Sequence, residues 1–234
     1  MINMFELFKK NDDFIPSNID VNINDNDYLR FRNIQEADDW GKDFYGKYGE
    51  KYKYIVKQLS EHDKKENSYK ISADSLGGYC GYEYIQINSM MRGITNESLD
   101  YNIKINNILT TLYRSPVIKE KMILYRVVSR DVADKIIEKE KENSAFAENA
   151  FMSTALSYDG INDIEEPCLL KIYLNYYPDQ NVHGLYVNEY TDKRSETELL
   201  LMPGLYIRML DKPYWDESFK KWVYKVTVFP MRIL

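Results

Sequence analysis

The stretch Arg194-Ser-Glu-Thr-Glu-Leu-Leu-Leu-Met-Pro-Gly204 joins two carboxylates to an apolar run that ends in Pro-Gly. The run is too short for a helix and is typical of a buried strand. Because side chains alternate between the faces of a strand, Glu196 and Glu198 are predicted to point the same way, roughly 6.5–7 Å apart. Two like charges at the entrance to a core are costly unless a cation or a reaction uses them. The pair is therefore a candidate site, and a solvated strand end is the alternative.

Composition places the chain among globular proteins. Its 234 residues are 44% hydrophobic and 14% aromatic, which suits one large domain, with or without a helical extension. A net charge of −6 and an isoelectric point near 5.2 argue against non-specific binding to nucleic acid, which requires a basic surface. The 21 tyrosines suit half-wet surfaces such as the walls of a cleft.

The sequence offers little support for metal or disulfide chemistry. The cysteines Cys80 and Cys168 and the histidines His62 and His183 are not grouped at the spacing of zinc ligands, so no metal site is predicted. A disulfide between the two cysteines stays open, and two buried thiols are the favoured interpretation.

The sequence also contains no recognisable signal for export or membrane insertion. Residues 1–13 lack the apolar core of about 7–15 residues that a signal peptide needs, and no run of about 18 apolar residues occurs. We expect a soluble protein without a Sec signal and without a membrane partner. Such a protein acts in the cytoplasm or reaches a target cell by another route.

Hydrophobic periodicity divides the chain into an irregular N-terminal arm (1–33) and one domain, whose helical part (34–116) precedes a mainly β part (117–234). A polar break is expected at 62–68. Helices are predicted over 34–59, 81–91, 99–113 and 131–140. Strands are predicted over 122–128, 145–154, 168–174, 184–187, 198–202, 205–210 and 222–229. Helices followed by strands indicate an α+β fold.

Arg126 lies inside the apolar run Ile123-Leu-Tyr-Arg-Val-Val128, where a charge is unexpected. A guanidinium in a buried strand needs an anion, and its planar fork matches both carboxylates and phosphates. The anion is either a ligand phosphate or an internal carboxylate such as Glu196 or Glu198. Because the chain has no glycine-rich phosphate loop of the Rossmann or Walker type, a nucleotide must be held in another way.

A third segment, Phe151-Met-Ser-Thr-Ala-Leu-Ser157, places two hydroxyls at the end of an apolar strand. Ser153 and Thr154 are equally typical of the start of a turn. In a site, one hydroxyl would hold a catalytic carboxylate in position and the other would contact a ligand.

Taken in order, the three segments resemble motifs of the bacterial mono-ADP-ribosyltransferase toxins of the Arg–Ser–Glu class. The likeness is greatest to the enzymatic components of clostridial and bacillar binary toxins that modify actin. Leu124-Tyr-Arg126 is similar to the first motif of that family, and Phe151-Met-Ser-Thr154 is similar to its Ser-Thr-Ser motif, with Ala155 in place of the last serine. Ser195–Gly204 resembles its Glu-x-Glu strand.

The resemblance extends upstream, so that it covers about residues 34–230. Tyr79-Cys-Gly81, Ile87-Asn88 and Met91-Arg-Gly93 resemble one helix of the family, and Glu36-Ala-Asp-Asp-Trp-Gly41 resembles its first helix. In the two-domain binary toxins a non-catalytic copy of the fold docks on a pore-forming component. This chain is too short for both copies, so we expect another delivery route or a target in the producing or infected cell.

The resemblance implies N-terminal helices packed on a two-sheet, mostly antiparallel β core that encloses an NAD cleft. It also implies transfer of ADP-ribose from NAD to a protein, with release of nicotinamide and without a metal. Glu198 would stabilise the developing ribosyl cation and bond the ribose 2′-hydroxyl, while Glu196 would face the acceptor. In the family a glutamate at the first position accompanies arginine acceptors, so an arginine of a target protein is expected, with actin as one candidate.

The same resemblance implies which residues contact the cofactor and the acceptor. The implied cofactor-binding residues are Tyr79, Asn88, Arg126, Ser153 and Thr154, with Arg126 on the NAD diphosphate. Ser153 would also hydrogen-bond Glu198 and fix its rotamer, and Tyr190 would recognise the acceptor together with Glu196. Arg92 is either a further phosphate or acceptor contact or a solvated arginine.

Two alternatives to protein modification stay open. An NAD glycohydrolase would use water as the acceptor and yield free ADP-ribose. A catalytically inactive copy that serves as a binding or docking module usually loses an essential residue, whereas this chain retains Arg126, Ser153 and Glu198. The acidic balance disfavours transfer to nucleic acid, and the sequence identifies neither the target nor an antidote or delivery partner.

Overall fold

The computed structural model describes residues 23–46, 71–177, 182–188 and 194–231. Within these ranges four α-helices precede the first strand and one follows it, and the strands form one mostly antiparallel sheet of nine strands. The predicted α+β fold, with N-terminal helices on an antiparallel β core, is therefore confirmed. Among the helices described, none has both the length and the apolar character of a membrane span.

Five α-helices lie within the described residues. They are α1 (Ile34–Gly46), α2 (Ile71–Gly78), α3 (Tyr84–Met91), α4 (Leu99–Arg114) and α5 (Arg130–Lys141), and a π-helical turn over Tyr79–Glu83 joins α2 to α3. In α4, Ile105, Ile108 and Leu112 recur at helical spacing and are buried. The helix ends before Ser115, which is extended because Pro116 follows it.

The strands are built around a central antiparallel pair. They are β1 (Met122–Val128), β2 (Phe146–Glu148), β3 (Met152–Ala155), β4 (Cys168–Leu174), β5 (Gly184–Tyr186), β6 (Glu198–Leu201), β7 (Leu205–Met209), β8 (Tyr214–Asp216) and β9 (Lys221–Pro230). Strand β4 pairs with β1 along its whole length and in parallel with β9. All of its residues are buried, because side chains cover both of its faces.

Two hydrophobic clusters cover the two faces of the sheet. Along β1, Met122 and Leu124 belong to the larger cluster, which contains the buried residues of the helices. The alternate residues Ile123 and Tyr125 belong to a smaller cluster that includes Tyr28. The alternation in β1 thus positions Arg126, the next residue on the larger face, towards the helices.

The two sheets expected from the resemblance are one continuous hydrogen-bonded sheet. Its strand order is β2-β7-β9-β4-β1-β3-β6-β5, and β8 pairs with the first residues of β9. The two halves meet where β1 pairs with β3, and the only register pair there is Tyr125↔Ala155. The sheet is continuous because β1 is hydrogen-bonded on both of its edges, although the second edge is paired over a short length.

Several boundaries differ from the prediction. The expected strand over 145–154 is two strands, because β2 pairs with β7 while β3 pairs with β6 in another part of the sheet. Helix α2 and strand β8 were not predicted; α2 contains Gly77 and Gly78, which weaken a helical pattern. Helix α1 is described to Gly46, and residues 47–59 of the predicted helix lie outside the described residues.

Residues 23–33, assigned from the sequence to the irregular arm, contact the sheet. The carboxylate of Asp25 accepts hydrogen bonds from the buried ammonium of Lys171 and, at 2.7 Å, from the hydroxyl of Tyr173. Leu29 forms a parallel bridge to Met122 at the start of β1. These contacts hold the segment on the sheet, although it contains only a short 3-10 turn and one bridge. The domain boundary at residue 33 stays a prediction.

The Asp25 contacts predict an acid-dependent contribution to stability. Burial raises the pKa of Asp25, but the hydrogen bonds from Lys171 and Tyr173 outweigh it, so the pKa is lowered overall. A lowered folded-state pKa stabilises the fold above the unfolded value of about 3.9, and this contribution is lost as the pH falls through the folded-state pKa. We expect Asp25→Asn to lower the free energy of unfolding at pH 7 by about 1–2 kcal/mol, measured by urea denaturation.

The matched control is Asp27→Asn, which removes an exposed carboxylate from the same 3-10 turn and should change the free energy of unfolding by less than about 0.5 kcal/mol. The difference in the free energy of unfolding between Asp25→Asn and the unaltered protein should become smaller below about pH 4. A loss that is equal at pH 7 and at pH 3 would contradict the electrostatic origin.

Candidate active site

A cavity of about 270 Å³ lies where the π-helical turn and α3 meet β1, β3 and β6. Seven residues singled out from the sequence line it: Tyr79, Asn88, Arg126, Ser153, Thr154, Glu196 and Glu198. Tyr190 lies outside the described residues. Residues that are far apart in the chain and were grouped only by resemblance therefore share one cavity.

The two glutamates reach this cavity from different elements. Glu196 is the last residue of a 3-10 turn (Arg194–Glu196), whereas Glu198 is the first residue of β6. Thr197 separates them with a φ of +46°. The prediction that both side chains lie on one face of a strand is wrong, because strand pairing begins only at Glu198. The carboxylates share the cavity because the chain turns between them.

The conformation of Thr197 is a constraint at the centre of the site. The left-handed region disfavours a β-branched residue, at a cost of about 1–3 kcal/mol. Thr197 is fully buried, so contacts around it hold the turn in place. Glu196 is half-buried and Glu198 is buried, which makes Glu196 the more accessible of the two carboxylates.

Arg126 has only one hydrogen bond within the described part of the chain. Its guanidinium is half-buried and donates to the main-chain carbonyl of Ser153 at 2.7 Å. The internal ion pair with Glu196 or Glu198, left open from the sequence, is not formed among the described residues. Burial lowers the pKa of Arg126, and the charges of Glu148 and Glu198 partly offset this effect. The remaining guanidinium donors suit an anionic ligand such as a diphosphate.

Strand pairing relates Ser153 to Glu198. Ala155 lies opposite Glu198, and Ser153 lies opposite Leu200, so Ser153 and Glu198 are on the same face of the β3–β6 pair, two residues apart. The expected hydrogen bond from the Ser153 hydroxyl to Glu198 stays a prediction. The Thr154 hydroxyl is buried and donates to the carbonyl of Leu199 at 2.6 Å, so it joins β3 to β6.

Tyr79 and Asn88 form a buried pair on the helical side of the cavity. The amide nitrogen of Asn88 donates to the Tyr79 hydroxyl at 3.1 Å, and the Tyr79 ring packs edge-on against Phe151. Burial raises the pKa of Tyr79, and the charge of Glu198 raises it further. The phenol is therefore neutral at physiological pH. The helical path is interrupted at Gly81 (φ −91°, ψ −108°), and π-helical segments are frequent at functional sites.

The cysteines are both free thiols, which answers the question left open by the sequence. Cys168 is buried as expected, whereas Cys80 is only half-buried and lines the cavity. Burial raises the pKa of the Cys80 thiol, and the charges of Glu198 and Glu196 raise it further. The thiol is protonated at neutral pH, so it is a poor nucleophile.

Arg92 remains partly exposed, and its guanidinium pairs with an internal carboxylate. Its Nε and a terminal nitrogen donate to the two carboxylate oxygens of Glu148 at 2.9 and 2.8 Å. Glu148 also accepts a hydrogen bond from the main-chain nitrogen of Ala150 at 3.0 Å, between β2 and β3. The sequence contained a signal for this pair, because Glu148 is an isolated charge in an otherwise mostly apolar stretch.

Sequence reasoning also missed several lining residues. Tyr125 is adjacent to Arg126, and Tyr84 lies one helical turn before Asn88, so the residues already singled out could have pointed to both. Ile161 and Ile164 come from the loop after β3, and no motif or spacing pointed to them. Their side chains make part of the cavity wall apolar.

The Arg92–Glu148 pair links the end of α3 to the sheet, so we expect it to stabilise the fold. Glu148→Gln should lower the free energy of unfolding by about 1–3 kcal/mol, because Arg92 loses its charged partner while it is partly buried. Thermal unfolding monitored by circular dichroism measures this loss. Glu142→Gln, which breaks the exposed pair with Lys139, is the control and should change stability by less than about 1 kcal/mol. Equal effects of the two variants would contradict the buried character of the Glu148 pair.

Residues 37–212 match the family model described as ADP-ribosyltransferase exoenzyme. No curated protein sequence matches the chain significantly.

Solved structures share the fold at low sequence identity. The ADP-ribosylating toxin BECa of a binary enterotoxin of C. perfringens, crystallised with NADH, aligns with a TM-score of 0.64 and 20% identity. The alignment covers 86% of this chain and 50% of the toxin chain, so this chain spans about half the length of that relative.

Two further relatives have about the same extent as this chain. The C3 exoenzyme of Clostridium limosum aligns with a TM-score of 0.60 and 18% identity, over 86% of this chain and 97% of the exoenzyme. C3stau2 from S. aureus, crystallised with NAD, aligns with a TM-score of 0.60 and 17% identity, over 87% of this chain and 99% of its own.

Proposed function

The chain belongs to the ADP-ribosyltransferase exoenzyme family, and on that premise we propose that it transfers ADP-ribose from NAD to an arginine of a target protein and releases nicotinamide. One observation carries the proposal: Arg126, Glu196 and Glu198 converge on a single cavity. A cation for a diphosphate, a buried carboxylate and an accessible carboxylate are the groups that such a transfer needs. Actin is one candidate target.

NAD is assigned to this cavity as co-substrate, without a metal. Arg126 binds the diphosphate, since its guanidinium is half-buried and has donors beyond the bond to the Ser153 carbonyl. Tyr79, Asn88 and Ser153 line the rest of the pocket, and Thr154 supports it by joining the strands. Two structural relatives that contain NADH or NAD support this assignment.

Glu198 stabilises the transition state of the bond cleavage. Loss of nicotinamide leaves positive charge on the ribose, as in glycoside hydrolysis. A carboxylate that is held rigidly and shielded from water stabilises that charge more than it stabilises the ground state. Glu198 meets this condition because it is buried and is the first residue of a hydrogen-bonded strand.

Glu196 acts on the acceptor. An arginine side chain is protonated at neutral pH because its pKa lies far above that pH, so it must be oriented and lose a proton before it attacks the ribose carbon. Glu196 is the more accessible carboxylate and lies on a turn, which suits contact with a second protein. When water takes the place of the acceptor, the same site hydrolyses NAD, so glycohydrolysis is the alternative outcome.

The two glutamates should respond differently to substitution by the isosteric amide. Glu198→Gln should lower both ADP-ribose transfer and NAD hydrolysis by about 10²–10³-fold, because the developing charge loses its partner. Glu196→Gln should lower transfer by a similar factor and leave hydrolysis within about threefold. Both activities are measured after incubation with labelled NAD and a cell lysate. Label on protein reports transfer, and free labelled ADP-ribose reports hydrolysis.

A suitable control for this pair is Glu165→Gln, which removes an exposed carboxylate from the loop after β3 and should change neither activity. Full labelling of protein by Glu198→Gln would contradict the role of Glu198. Equal loss of both activities in Glu196→Gln would remove the acceptor role of Glu196 and favour the glycohydrolase.

Arg126→Lys tests the diphosphate contact. Lysine keeps the charge but loses the planar fork, so the Kd for NAD should rise about 10- to 100-fold, as measured by isothermal titration calorimetry. Arg114→Lys, an exchange at an exposed arginine that ends α4, is the control and should leave the Kd unchanged. An unchanged Kd in Arg126→Lys would place the diphosphate elsewhere.

A further inference from the structure

The loop that follows β3 packs main chain against main chain on the turn that carries Glu196. Gly160 ends the 3-10 turn Tyr158–Gly160 in this loop. A Cβ atom on Gly160 would lie 2.2 Å from the carbonyl oxygen of Ser195 and 2.9 Å from the Cα atom of Glu196. Both are main-chain atoms, so no side chain is able to move aside. The contact therefore requires glycine at position 160.

The same loop also holds Thr197, the residue that turns the chain between the two glutamates. The main-chain nitrogen of Leu156 donates to the Thr197 carbonyl at 3.2 Å. The main-chain nitrogen of Ser157 donates to the Thr197 hydroxyl oxygen at 3.3 Å. Ser157 and Thr197 are both buried, so water does not replace these bonds.

Glu198 is held by a different set of contacts. It lies opposite Ala155 in the β3–β6 pairing, and its carbonyl accepts a hydrogen bond from the main-chain nitrogen of Val187 at 3.0 Å. A shift of the Ser195–Glu196 turn therefore leaves the strand that carries Glu198 paired on both sides. The structure separates the support of one carboxylate from the support of the other.

We propose that Gly160 and Thr197 are positioning residues that set Glu196 for the acceptor step, while Glu198 is set by the sheet. The inference rests on the transferase proposed above and adds what fixes the acceptor carboxylate. A displacement of about 1 Å in a catalytic group is enough to lower a rate by about a hundredfold. Disturbing this contact should therefore uncouple transfer from NAD hydrolysis.

Gly160→Ala tests the inference directly. Transfer from labelled NAD is measured to lysate protein and to agmatine, a small guanidine acceptor, and NAD hydrolysis is measured without acceptor. We expect transfer to fall at least tenfold, hydrolysis to stay within about twofold and the KM for NAD to be unchanged. Gly77→Ala is the matched control, since a Cβ there meets no atom within 4 Å, and it should leave both activities unchanged.

If thermal unfolding shows that Gly160→Ala does not fold, a second pair of variants tests the positioning role. Thr197→Val keeps the branched shape but removes the acceptor for the Ser157 nitrogen, so transfer should fall about tenfold while hydrolysis persists. Thr197→Ser restores the hydroxyl and should restore transfer. A purely structural role would lower both activities together in Thr197→Val and would overturn the inference.

Failure of this inference is distinguishable from failure of the proposed function. If Glu196→Gln abolishes transfer while Gly160→Ala and Thr197→Val retain it, the positioning role alone is overturned. If Glu196→Gln retains transfer, or if the unaltered protein labels neither protein nor agmatine, the acceptor role of Glu196 and the inference built on it both fail.

Discussion

The pairing of β1 on both edges is the constraint on which the rest of the structure depends. One edge pairs with β4 along the whole strand, and the other meets β3 at Tyr125↔Ala155. This second edge brings the guanidinium of Arg126 to the carbonyl of Ser153 and opens the cavity between the sheet and the helices. A desolvated guanidinium with unused hydrogen-bond donors is stable there only if the protein or a bound ligand supplies negative charge.

The site separates its two carboxylates by a change of backbone conformation. A continuous strand would support Glu196 and Glu198 by the same pairing, and any shift would move both. The left-handed Thr197 ends the strand at Glu198 and places Glu196 on a turn that contacts the loop after β3. This arrangement allows one carboxylate to be buried and rigid while the other is open to a second molecule.

Elements with a strong local pattern were predictable, and elements defined by distant partners were not. Helix α4 agrees with the sequence because its apolar residues repeat at the period of a helix, and strands β1 and β4 agree because each is a short, almost continuous apolar run. The break between β2 and β3 was missed, since it arises from pairing with different strands rather than from a local signal. The partner of Arg92 was missed because it lies on a distant segment of the chain, although a buried charge such as that of Glu148 indicates that a partner exists.

The sequence by itself determined the order of helices and strands and the types of residue at the site, because periodicity and misplaced charge are local properties. It also carried the motif order from which the family was inferred. Only the tertiary structure decided that Arg126 forms no ion pair among the described residues, that Arg92 forms one, and that a turn separates Glu196 from Glu198. These outcomes depend on which segments meet across the sheet, and a close main-chain approach such as that at Gly160 exists only once they have met.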